Sequence, residues 1–154
     1  MLELDLAEAI SGAEAFPDSD PRSALTAFYR AFNGRNLDAM SNVWLAGDEP
    51  SMSNPVGGIA RGWAAIRSVY ARLFSSDAQI EVEFHDYSIH DVGSGFIAVG
   101  RERGHFTRAG TRLQIAFRTT RCFRRDGAGW RQLHHHGSAD DPAMLDAYQT
   151  AVQQ

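Results

Sequence analysis

Two hydrophobic periods divide this chain. In the first half, apolar residues recur at helical spacing: Leu25, Phe28, Tyr29 and Phe32 form one stripe. Asp20 stands ahead of it as an N-cap with Pro21 at the first helical position. Asn33-Gly34 supplies its stop. Asn36 then caps a second, short helix carrying Leu37, Met40 and Trp44. A third helix is predicted over about 63–74, with Trp63, Ile66, Tyr70 and Phe74 on one side. Upstream, Leu2, Leu6 and Ile10 are spaced for a short amphipathic helix that Pro17 and the acids around it break. Residues 46–62 read as a loop with one or two short strands.

After residue 78 the period changes to two. Ile80, Val82 and Phe84 alternate with Glu81, Glu83 and His85. Asp91–Gly95 reads as a hairpin turn, and 95–107 and 111–124 as long strands joined by Arg108-Ala109-Gly110. A second hairpin turn around Asp126-Gly127 leads to a last strand over 130–137. Met144, Leu145, Tyr148 and Val152 suggest a C-terminal helix. The organisation expected is a lead segment, 1–20, and one domain, 21–154. Helices followed by an antiparallel meander give the α+β class. Long neighbouring strands twist and curl, and helices laid in the hollow enclose a pocket.

Strand alternation selects the residues facing that pocket. Leu113, Ile115 and Phe117 place Thr119, Arg121 and Phe123 on the inner face. On the strand before, Ile97 and Val99 are expected to put Arg101, Arg103 and His105 inside or at the mouth. On the last strand, Leu133 puts Arg131 and His135 inside, with His134 and His136 outside. A guanidinium cannot deprotonate to escape burial, and by this parity no acid shares its face, because Glu102 points the other way. Arg101 and Arg121 are therefore expected to hold a small carboxylate in a bidentate manner, with Tyr29, Trp44, Asn54, Tyr70 and His135 shaping the cavity. The other possibility is that these heads reach the mouth or pair with a helix carboxylate such as Asp38.

Composition narrows the chemistry. All 15 basic residues among the 154 are Arg. Without Lys there is no Schiff base and no phosphate-binding G-x-x-x-x-G-K-[ST] loop. A lone cysteine, Cys122, excludes an internal disulfide and a multi-cysteine zinc site. A reducing cytoplasm is the default location. No apolar run approaches the roughly 20 residues that span a bilayer, and no signal-peptide pattern opens the chain. The run His134-His135-His136 cannot chelate one ion, since strand neighbours face opposite ways. No metal and no cofactor is expected. Ser138 and Cys122 lie near histidines, but no nucleophile elbow surrounds either. Residues 101–131 hold nine arginines and two acids, whereas 1–50 hold nine acids and three arginines. The outer row Arg112, Arg118 and Arg124 lacks the interleaved aromatics of a nucleic-acid surface. It is expected to meet a second subunit of a homodimer or the acidic N-terminal segment. Neither nucleic acid nor membrane is an expected partner.

Three stretches carry a resemblance: "LTAFYRAFNGRNLDAMSNVW", "NPVGGIARGWAAIRSVYARLF" and "RRDGAGWRQLHHHGS". In this order, over about 21–138, the chain resembles the nuclear transport factor two-like superfamily, including SnoaL-like proteins and ketosteroid isomerases. The resemblance implies a cone: a strongly bent antiparallel sheet wrapped around three N-terminal helices, usually dimeric. Ketosteroid isomerases carry Asp-Pro-Val-Gly, whose Asp is the general base. Here the string begins with Asn54, which accepts no proton at working pH. Their two oxyanion donors correspond to Phe28 and Thr119, and only a supporting Tyr, Tyr70, is kept. The closest motifs are those of the association domain of calcium/calmodulin-dependent protein kinase type II: Thr120-Arg121, Arg124-Arg125-Asp126-Gly127, Trp130 and His134 to Ser138, with Arg101 on the strand before. That family's arginines line a carboxylate-accepting pocket. Its third pocket Arg corresponds to Gly137 and its helix His to Ile66. The function implied is a small-molecule-binding protein with a partly polar pocket for a small anion. The alternatives are an isomerase-, cyclase- or dehydratase-type enzyme using His135 as acid or base, and an oligomerisation module.

Overall fold

The computed structural model describes residues 8–127 and 129–153. Its elements follow the two periods. Helix α1 (Pro21–Asn33) starts at Asp20, whose side chain accepts from the Arg22 N–H, and ends at Gly34. Helix α2 (Leu37–Val43) is capped by Asn36, which accepts from the Ala39 N–H. Strands β1 (Ser51–Ser53) and β2 (Ile59–Arg61) precede α3 (Trp63–Ser75). The meander β3 (Gln79–Asp91), β4 (Gly95–Arg108), β5 (Thr111–Asp126) and β6 (Gly129–Ala139) follows, then α4 (Pro142–Gln153).

The six strands form one curved, unclosed sheet in the order β2-β1-β6-β5-β4-β3. All neighbours are antiparallel except β1 and β6. The inner row of β5, Ile115 to Phe123, lies on the face predicted. The core, with Leu25, Phe28, Phe84 and Phe106 buried, fills the space between this face and the helices. Arg35 ties the helical layer to the sheet. It donates to the carbonyls of Phe74 at 2.7 Å and Ser76 at 2.6 Å, where α3 gives way to β3.

Three sequence expectations are corrected. Ile10 does not continue a helix. It exchanges two 2.9 Å backbone hydrogen bonds with Phe84, like a short added strand; Leu2 and Leu6 lie outside the described residues. This lead segment packs closely on α1. Gly12 has φ of +104°, and a Cβ there would lie 2.5 Å from the Arg30 backbone nitrogen.

Second, the inner row of β4 is Phe96, Ala98, Gly100, Glu102, Gly104 and Phe106, not Ile97, Val99 and Arg101. Laterally paired residues share a face, and Ala98 is paired with Arg121, Gly100 with Thr119 and Glu102 with Phe117. Val99 is 42% exposed. Arg101, Arg103 and His105 therefore lie on the outer face. There Arg101 forms ion pairs with Asp86 and, at 3.0 Å, with Asp140. Third, Arg131 does not face inward. Gln132 is opposite Phe123 while His134 is opposite Cys122, so Leu133 is an extra residue in β6. The bulge puts Trp130 and Gln132 inside ahead of it and His135 inside after it. Of the outer arginines, Arg124 pairs with Glu49 through two bonds of 2.7 and 2.8 Å.

Candidate functional site

Between the concave sheet face and α1, α3 and α4 lies a cavity of about 530 Å³. Its walls are largely apolar, with Phe28, Met52, Tyr70, Ile80, Phe106 and Phe117 among the lining residues. Helix α4 contributes Tyr148, whose ring packs edge-on against Phe106 and Phe117 at 5.6 and 5.3 Å.

One polar cluster interrupts this surface. The Arg121 side chain is 1% exposed. Its Nη2 donates to Glu102 Oε1 at 2.6 Å, its Nη1 to Gln132 Oε1 at 2.9 Å, and its Nε to the Tyr29 hydroxyl at 3.2 Å. The guanidinium carbon lies 3.5 Å from the centroid of the Phe28 ring. Tyr29 in turn donates to Glu102 Oε1 at 3.2 Å, and burial holds this phenol well above its usual pKa, in the protonated form that donates. A buried cation costs several kcal/mol unless it is paired and hydrogen-bonded. Here a carboxylate, an amide, a hydroxyl and an aromatic face meet that requirement. Gly100 stands between Glu102 and Ala98 in the inner row of β4, so no β4 side chain separates Glu102 from Arg121.

Glu102 is only half engaged. Both of its bonds fall on Oε1, and the residue lines the cavity. His135 is directly opposite Arg121 on β6, with its Nε2 4.0 Å from Glu102 Oε1. Its Nδ1 is buried and has no hydrogen-bond partner among the described residues. Burial, then the nearby Arg121 charge, hold its pKa well below the ordinary imidazole value, so the ring is neutral near pH 7.

Of the residues the sequence singled out, Arg121, His135, Asn54, Tyr70 and Thr119 all line the cavity. Tyr29 supports the ion pair from α1. Trp44 is buried behind Tyr70, with ring centroids 6.4 Å apart, and does not line the cavity. Arg101 is on the other side of the sheet. The expectation that no acid shares the inner face is overturned by Glu102, and the partner of Arg121 is this strand carboxylate rather than Asp38. Gln132 was also missed. The signal for Glu102 lay in the hairpin Arg108-Ala109-Gly110-Thr111. Ala109 and Gly110 both take positive φ, 50° and 81°, as a two-residue primed turn requires. Such a turn puts Arg108 opposite Thr111, and counting back along the ladder puts Ala98 opposite Arg121 and Glu102 inward.

Residues 22–142 match the SnoaL-like domain, and the chain belongs to that family. Solved structures agree in fold. A proposed calcium/calmodulin-dependent protein kinase type II association domain from Thiobacillus denitrificans is 26% identical, with a TM-score of 0.68 over 83% of this chain and 99% of that one. A proposed dehydratase of the nuclear transport factor two-like family from Streptomyces avermitilis is 23% identical, with a TM-score of 0.71 over 80% of this chain and 98% of that one. A ketosteroid isomerase-like protein from Erwinia carotovora atroseptica is 19% identical, with a TM-score of 0.64 over 79% and 94%. No curated protein matches the sequence. The fold is thus the nuclear transport factor two-like cone. No helix among the described residues is long and apolar enough to cross a membrane.

Removing one member of the ion pair strands the other. Arg121→Ala is expected to lower unfolding free energy by about 3–5 kcal/mol, whereas Arg121→Met combined with Glu102→Leu recovers most of that loss. Urea titration of the single and double variants measures this, and equal losses in both would contradict it. His135 gives a pH dependence. In the unfolded chain its ring takes up a proton below about pH 6.5, while the folded ring resists it. Its contribution is therefore present above that pH and lost as pH falls. Melting temperature between pH 7 and pH 5 is expected to drop less in His135→Gln than in the wild type.

Proposed function

We propose that this protein binds a small, predominantly apolar molecule in the cavity, with one polar group of that molecule set against Glu102 and His135. The observation that carries this reading is the unshared Oε2 of Glu102 in a largely apolar chamber. An unpaired acceptor of this kind favours a ligand with a hydroxyl or N–H donor, because leaving it unmet costs more than a hydrogen bond gains. The case for an anion held by paired arginines falls away at this end of the cavity. Arg101 is outside, and the charge of Arg121 is matched by Glu102. A volume of about 530 Å³ is ordinary for a small-molecule site.

A specific observation favours an enzymatic version as well. A neutral imidazole stands 4.0 Å from a carboxylate in a largely apolar cavity, an arrangement suited to moving a proton on a bound molecule. The candidate reactions are isomerase- or lyase-like, with His135 as acid or base. Two of the fold relatives are described as a proposed dehydratase and as ketosteroid isomerase-like.

Decanol and its methyl ether separate donor recognition from apolar burial. Calorimetry is expected to show the alcohol binding about tenfold or more tightly than the ether; equal affinities would remove Glu102 from the reading. For the enzymatic version, a ligand captured during purification is expected to exchange a carbon-bound proton with D2O on the wild-type protein. On His135→Gln it should bind without exchange. Exchange that persists in the variant would rule His135 out.

A further inference from the structure

The inner row of β4 does not end at the ion pair. It continues from Glu102 past Gly104 and Phe106 to Arg108, which also lines the cavity. Six residues of strand separate Glu102 from Arg108, about 20 Å along the backbone. The cavity is also lined by Arg72, on the last turn of α3, and by Val152 of α4; Asp77, the ion-pair partner of Arg108, follows closely on the end of α3. Arg72 is exposed and its guanidinium makes no ion pair or hydrogen bond among the described residues. Arg108 pairs with Asp77 at 3.1 Å, a carboxylate that is 72% exposed and so only loosely held. Its Nη1 also reaches the Val152 carbonyl at 3.4 Å.

Among the described residues that line the cavity Glu102 is the only acid, and Arg121 already matches it. The cavity therefore has a neutral polar floor, apolar walls and two arginines at its mouth. Low-dielectric walls focus the field of such charges along a cleft. Guanidinium groups are also the cations best shaped to take a carboxylate.

We propose that the ligand is an amphipathic acid, with its donor end at Glu102, its apolar body along Phe106 and Phe117, and its carboxylate at the mouth between Arg72 and Arg108. This rests on the binding reading above and adds a second, charged contact at the far end. The anion site lies at the rim of the cone and not at its floor.

Decanol and ω-hydroxydecanoate differ only at the end that would reach the mouth. At low salt the hydroxy acid is expected to bind about tenfold more tightly than the alcohol, and the gain shrinks at high salt. In the Arg72→Ala/Arg108→Ala variant, the preference for the hydroxy acid over decanol is lost, the two binding with about equal affinity. A melting temperature close to wild type shows that the variant is folded. Decanol binding with no gain for the hydroxy acid, or a gain that survives in the variant, overturns this proposal alone. Failure of both probes to bind overturns the reading of the cavity and this proposal with it.

Discussion

A guanidinium that cannot lose its proton, set where no water reaches it, constrains every element around it. Arg121 imposes that condition on this fold. Its charge requires Glu102 from β4, and its remaining N–H groups engage Gln132 from β6 and Tyr29 from α1. The plane of its head rests on Phe28 of the same helix. Three strands and a helix must therefore arrive together, with Gly100 leaving room for Phe84 and Tyr87 of β3 and the bulge at Leu133 bringing both Gln132 and His135 inward. A buried ion pair is a poor source of net stability compared with apolar packing of the same volume. Here it specifies an arrangement, because a shift of one residue in the β4–β5 hairpin would turn one charge to solvent and leave the other buried alone.

The same pair sets the chemistry of the cavity. Because Arg121 and Glu102 satisfy each other, the floor is polar without being charged overall, and the neutral His135 ring keeps it so. Recognition at the floor then rests on hydrogen bonding, by the free oxygen of one carboxylate. Net positive charge is found only at the rim, where Arg72 and Arg108 face solvent on one side and the cavity on the other. Under the proposed reading the two ends of the ligand are recognised by different physics. The inner end meets an acceptor that the ligand itself would bury, whose selectivity is steep because an unmet buried partner is costly. The outer end meets screened charges, whose effect depends on salt.

Much of this was legible in the sequence. Local rules placed the caps at Asp20 and Asn36, the switch of period after residue 78 and the inner face of β5. They identified Arg121 and His135 as inward, although His135 was reached by an argument that ignored the bulge and also turned Arg131 the wrong way. The face of β4 was misread. Ile97 and Val99 are stronger strand formers than Ala98 and Gly100, but hydrophobicity within one strand did not decide which side is buried. The ladder to β5 did, through the register of a two-residue turn. Glu102 was hidden by that one-residue error, and the case for Arg101 as a ligand-binding residue came from it. The helix type and extent of α1, α2 and α3, the meander and the presence of one inward arginine are properties of the chain read locally, since they depend on contacts within a few residues. Which carboxylate meets that arginine, and where positive charge remains unmatched, depend on pairing between strands and so were decided only by the tertiary structure.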